Sequence, residues 1–109
     1  MPGVIEKEEA LERLGGDEEL YLEIANVFLI DTPRQLQILR DSLQRDDRNE
    51  FTRIAHSLKS ASGTIGAEAM RHVAAKLERI GVAAQNSELA ESVGELEQLF
   101  AAVKNHFSV

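Results

Sequence analysis

At 109 residues the chain has the length of one domain spanning 1–109, and its lack of cysteine excludes disulfides, thiolate metal sites and thiol nucleophiles while fitting a reducing compartment. A formal net charge of −7, with its 12 Lys and Arg scattered along the chain, disfavours a nucleic-acid partner. No stretch reaches the roughly 20 apolar residues that span a bilayer, and no basic region followed by an apolar one opens the chain. It therefore reads as cytoplasmic, unprocessed and without direct membrane contact.

Two prolines, seven glycines and few alternating β-branched residues describe an all-α chain, and the punctuation divides it into six helices. The first, about residues 5–14, carries Ile5, Leu11 and Leu14 and stops at Gly15-Gly16. Asp17 caps the second, which presents Leu20, Ile24, Val27 and Phe28 on one face and ends before an Asp31-Thr32-Pro33 break. Pro33 suits the first turn of a third helix, lined by Leu36, Leu39 and Leu43 and ending near Asp46-Asp47. The fourth covers about residues 48–65. Gly66 separates it from a fifth, bearing Met70, Val73, Ala74, Leu77 and Ile80 and stopping at Gly81; so short a connection predicts antiparallel packing. After Gln85-Asn86-Ser87, a sixth helix repeats Leu89, Val93, Leu96, Phe100, Val103 and Phe107 at spacings of four and three, the pattern of a bundle seam.

The fourth helix carries the chemistry. At about 100° per residue, Phe51, Ile54, Ala55, Leu58, Ala61, Ser62 and Ile65 share one sector, and His56 points roughly 150° from its middle, into solvent. Thr52, Lys59, Ser60 and Gly63 lie on the same side as His56, so a cation sits one turn on and the other neighbours are small. Gly63 costs on the order of 1 kcal/mol against alanine inside a helix; room for an incoming surface and close helix packing are equally good reasons for it.

A neutral imidazole, with an unperturbed pKa of about 6.5, offers a lone pair that can attack a phosphoryl group, and Lys59 would offset charge on its oxygens. Counting back along the antiparallel fifth helix brings Glu78 or its neighbours near His56, where a carboxylate could fix the ring's tautomer. On these residues alone, an ordinary solvated histidine is the favoured reading. His72 lacks a strip of small neighbours, and Glu68 with His72 has metal-ligand spacing but faces water, so no metal and no cofactor are expected.

The run Ala55-His56-Ser57-Leu58-Lys59-Ser60-Ala61-Ser62-Gly63-Thr64-Ile65-Gly66-Ala67 resembles the signature of histidine-containing phosphotransfer (HPt) domains. Leu11-Glu12-Arg13-Leu14-Gly15-Gly16-Asp17-Glu18-Glu19-Leu20 and Phe28-Leu29-Ile30-Asp31-Thr32-Pro33 resemble the N-terminal helices of HPt domains attached to hybrid sensor kinases. The resemblance implies an antiparallel up-down four-helix bundle with additional short N-terminal helices. It also implies a two-component phosphorelay intermediate: His56 would accept a phosphoryl group from a receiver-domain aspartate and pass it to another receiver, with Lys59 as supporting cation and Glu78 as the imidazole's partner. Thr52, Arg53, Ser60 and Gly63 would border the docked receiver, Arg53 and Lys59 complementing its acidic pocket. Ser60 departs from the family's usual glycine, which should tune partner choice.

The implied partners are response-regulator receiver domains and, if this is the C-terminal piece of a larger sensor, a parent hybrid kinase; a stand-alone shuttle is the alternative. A monomer is expected, because one histidine must stay accessible. Ser57 after the histidine, and a fourth helix without proline, depart from histidine-kinase dimerisation domains, and 109 residues leave no space for an ATP-binding domain. A phosphocarrier without kinase or phosphatase activity of its own is the expectation, against a helical adaptor that docks partners without phosphorylation.

Overall fold

A computed structural model describes residues 4–108, and among these the regular elements are five α-helices. They are α1 (Lys7–Arg13), α2 (Glu18–Gln44), α3 (Arg48–Ile65), α4 (Glu68–Ile80) and α5 (Asn86–Phe107). Helices α2 to α5 run up and down around a shared core, each packed on its neighbours in the ring, while α1 lies against α2 and α3.

The caps follow from the sequence. Asp17 accepts from the Leu20 amide and Asp47 from the Glu50 amide, each at 3.0 Å, satisfying orphan donors at the starts of α2 and α3. Helix α3 ends at Gly66, whose φ of +85° lets the amides of Gly66 and Ala67 close back on the carbonyls of Gly63 and Ser62. A side chain there would also strike the Glu6 carbonyl, because a Cβ would lie 2.5 Å from that oxygen. This tight reversal sets α4 antiparallel against α3.

Between residues 18 and 44 the structure differs from the sequence expectation: no break occurs at Asp31-Thr32-Pro33, and the predicted second and third helices are one. Tyr21, Ala25, Phe28, Thr32, Leu36, Leu39 and Leu43 form an unbroken buried stripe at spacings of four and three. Ending the helix at residue 31 would pull Thr32 and Leu36 out of that stripe. Pro33 faces solvent, so its cost is one missing amide donor for the Leu29 carbonyl at a surface position. The bundle therefore has one additional N-terminal helix rather than several. The same phase leaves Leu20 and Val27 outside the core, Val27 at 57% exposure, where the sequence expectation had them facing inward.

Hydrogen bonds hold both ends of α3. The buried Tyr21 hydroxyl donates to the Ile65 carbonyl at 2.8 Å, and the Glu6 amide donates to Gly66 at 2.8 Å. At the other end Arg48 donates to the carbonyls of Gly81 and Ala84 and to Asn86, fastening the α4–α5 turn beside the first turns of α3. That turn carries Val82, 69% exposed, on the same side as His56.

Candidate functional site

The core sector of α3 is as its periodicity requires: Phe51, Ile54, Ala55, Leu58, Ser62 and Ile65 are buried and Ala61 is half-buried. The opposite side carries His56, whose side chain is 58% exposed. Its Nδ1 lies 2.7 Å from Oε2 of Glu78, in the last turn of α4. The other oxygen of the same carboxylate, Oε1, lies 2.7 Å from Nζ of Lys59.

Glu78 is held below the usual carboxylate range, chiefly by the Lys59 hydrogen bond and further by His56, against the opposing effect of partial burial. An ionised carboxylate only accepts, so the shared proton belongs to Nδ1. The Nε2 lone pair then points to solvent. A nucleophilic nitrogen, a carboxylate fixing its tautomer and an ammonium one helical turn away therefore form one connected group.

Two shallow depressions flank the ring. One, about 430 Å³, is lined by Asn49, Thr52, Arg53, Ser57, Glu78 and Val82 together with His56. The other, about 580 Å³, lies towards the C-terminus of α3 and is lined by Lys59, Ser60, Gly63 and Thr64 with Arg13, Glu68 and Arg71. A third, apolar groove of about 370 Å³ runs between α2 and α3, lined among others by Leu20, Ile24, Val27, Phe28, Ala61 and Thr64.

The remaining residues singled out in the sequence have these positions. Thr52 is half-buried and spends its hydroxyl on the carbonyls of Arg48 and Asn49, at 3.1 and 3.2 Å. Arg53 is exposed and bound through both Nε and an NH2 to Glu50, so its charge is locally compensated. Ser60 is exposed. Gly63 is met by side chains from two other helices: an added Cβ would meet Cδ of Arg71 on α4 at 3.1 Å, and the Gly63 carbonyl accepts from Arg13 on α1 at 2.6 Å. Glu68 is paired with Arg71 at 2.7 Å. Among the described residues no three His, Cys, Asp or Glu side chains are grouped to hold a metal ion.

Sequence reasoning missed Arg13 and Arg71, which reach the strip from α1 and α4. No local pattern marks them, because the Arg13–Gly63 contact spans 50 residues. It also missed the apolar groove. Its signal, a second apolar line at Leu20, Ile24 and Val27, was present but merged with the buried stripe.

Comparison with known proteins identifies the fold and the family. The crystal structure of histidine-containing phosphotransfer protein B (HptB) from Pseudomonas aeruginosa PAO1 superposes with a TM-score of 0.87 at 21% sequence identity, covering 98% of this chain and 93% of that one. That likeness shows a shared fold. The family model for the Hpt domain matches residues 23–106, which include all of α3 and α4 and the His56–Glu78–Lys59 group. With most of its length so matched, the chain belongs to the Hpt domain family, the phosphocarriers of histidine phosphorelay signalling.

Proposed function

We propose that His56 is the phosphoacceptor, taking a phosphoryl group from the aspartyl phosphate of one receiver domain and giving it to the aspartate of another. The observation that carries this reading is the Glu78 carboxylate, bonded at 2.7 Å to both His56 and Lys59 beneath an exposed imidazole. The Nε2 lone pair attacks phosphorus as the bond to the aspartate oxygen breaks, and the carboxylate leaves. The ring, still protonated at Nδ1, becomes a phosphorylimidazolium whose positive charge faces Glu78. No proton has to leave, so the reverse step onto a second receiver is equally open. Lys59, 32% exposed, is placed to offset charge on the phosphoryl oxygens.

The apolar groove between α2 and α3, together with the small residues Ser60 and Gly63, supports docking of a receiver over this face, with Thr52 and Arg53 at its other edge. The chemistry needs a nucleophile, an orienting carboxylate and a cation. We therefore read the chain, taken as one unit, as a carrier without kinase or phosphatase activity of its own. Receiver partners put the exchange in the cytoplasm, and a second copy over α3 would cover the imidazole, which favours a monomer. Among the described residues no helix is long and apolar enough to cross a membrane.

Incubation with a phosphorylated receiver tests the reading. Acid-labile, base-stable phosphate on His56 is expected, and His56→Gln should abolish it without unfolding the protein, because the side chain is exposed. Docking without transfer would replace relay by an adaptor role.

A further inference from the structure

Positive charge around His56 is mostly cancelled where it arises. Arg53 is paired with Glu50, Lys59 with Glu78 and Arg71 with Glu68. Arg13 differs. At the end of α1 it donates to the Gly63 carbonyl at 2.6 Å, and no carboxylate lies within ion-pair reach of it among the described residues. A carbonyl dipole occupies one of the five guanidinium N–H donors but leaves the full charge standing.

This cation is fixed in place. An isolated seven-residue helix such as α1 would not persist in water, but α1 is fastened to the C-terminus of α3 by the Glu6–Gly66 bond and by the buried Ile5 and Ala10. Gly63 lies two turns beyond His56, about 10 Å along the helix axis, comparable with the screening length at physiological salt. A group seated on the imidazole would feel the charge. The whole chain carries −7 and repels an acidic partner at long range, so a local uncompensated cation beside the site can decide how that partner lands.

We propose that Arg13 is a docking residue that meets a carboxylate on the acidic rim of the receiver while His56 faces the phosphoaspartate. The inference rests on the phosphorelay reading above. It gives α1 a task in partner selection beyond capping α3.

The test is transfer from a phosphorylated receiver to the full chain, measured against receiver concentration and against sodium chloride. Arg13→Gln should raise the half-saturating receiver concentration by roughly three- to ten-fold, leave the saturating rate unchanged and flatten the salt dependence. Arg13→Lys should keep most of the parent behaviour. Because Arg13→Gln also removes a bond to α3, a second pair leaves that bond intact: Thr64→Glu and Thr64→Gln, nearly equal in size, at an exposed position in the same depression. Weaker docking by Thr64→Glu than by Thr64→Gln is expected. Equal docking by that pair, or unchanged half-saturation and salt slope in Arg13→Gln, would overturn the inference. A loss confined to the saturating rate would overturn it too, marking Arg13 as a cap alone. If the parent protein accepts no phosphoryl group from any receiver, the phosphorelay reading fails first and this inference with it.

Discussion

Glu78 holds the His56 imidazole through one carboxylate oxygen while the other is bound to Lys59, so the group that orients the ring also restrains the ammonium. Replacing the carboxylate by an amide separates these tasks. In Glu78→Gln the side-chain oxygen can still accept from Nδ1, but the Lys59 ion pair is gone, and the amide N–H₂ can instead donate to an unprotonated Nδ1. The tautomer is then no longer fixed. Transfer should fall roughly ten-fold, the lower end of the loss seen when the orienting partner of a metal-ligating histidine is removed. Nitrogen NMR of the ring should show a mixture of Nδ1–H and Nε2–H forms in place of one; a single unchanged tautomer would refute the assignment.

The acid limb of stability follows from two carboxylates whose pKa values are lowered in the folded state. Glu78 is lowered chiefly by Lys59, and Glu97 chiefly by its paired hydrogen bonds with Arg40, at 2.7 and 2.9 Å between α5 and α2. A lowered folded pKa means that the contribution is complete above the unfolded-state value and is lost as pH falls through the folded one. The protein should therefore lose stability from about pH 4.5 downward, the ordinary glutamate value, with little change from these groups above it. Both pairs are substantially exposed, so each is worth less than about 1 kcal/mol. Urea midpoints against pH should show a shallower acid limb in Glu97→Gln; an identical limb would remove the Arg40 pair from the account.

How far the sequence reached depends on the range of the forces involved. Periodicity located the core faces of α3 and α5, because a helix samples its own surroundings every three or four residues. Helix reversal at Gly66 let simple counting bring Glu78 to His56. The expected break at Pro33 failed because a local breaker competes with a long-range cause, the burial of Thr32 and Leu36 against the rest of the bundle. Leu20 and Val27 were misplaced for the same reason, since their spacing fits a core stripe and only the neighbouring helices decide which of two apolar lines is covered. Arg13 lay beyond any local rule: its partner on α3 is fixed by the docking of α1.

Ser62 offers a test of packing without function. It is fully buried, and among the described residues its hydroxyl oxygen has no hydrogen-bond partner. Burying an unpaired hydroxyl is costly, so Ser62→Ala should be neutral or stabilising by up to about 1 kcal/mol. Chemical denaturation would show it, and a loss greater than that would mean that the hydroxyl has a partner in solution, such as a water.

Two glycines on α3 should respond in opposite ways to the same substitution. Gly66 sits at φ +85°, where a Cβ is strained, and that Cβ would also lie 2.5 Å from the Glu6 carbonyl oxygen. Gly66→Ala should therefore destabilise by about 2 kcal/mol or more and loosen α1 from α3. Gly63 has ordinary helical geometry, and its Cβ would meet only the flexible stem of Arg71 at 3.1 Å. Alanine there gains up to about 1 kcal/mol of helix propensity, offset by a small shift of Arg71, so stability should hold or rise slightly. The same methyl group fills part of the floor beside Lys59 and Ser60, and transfer should slow while the melting temperature does not fall. Thermal melts of both variants beside a transfer assay would separate the two roles. A Gly63→Ala protein that melts early yet transfers normally once folded would reverse the assignment and make Gly63 a packing residue.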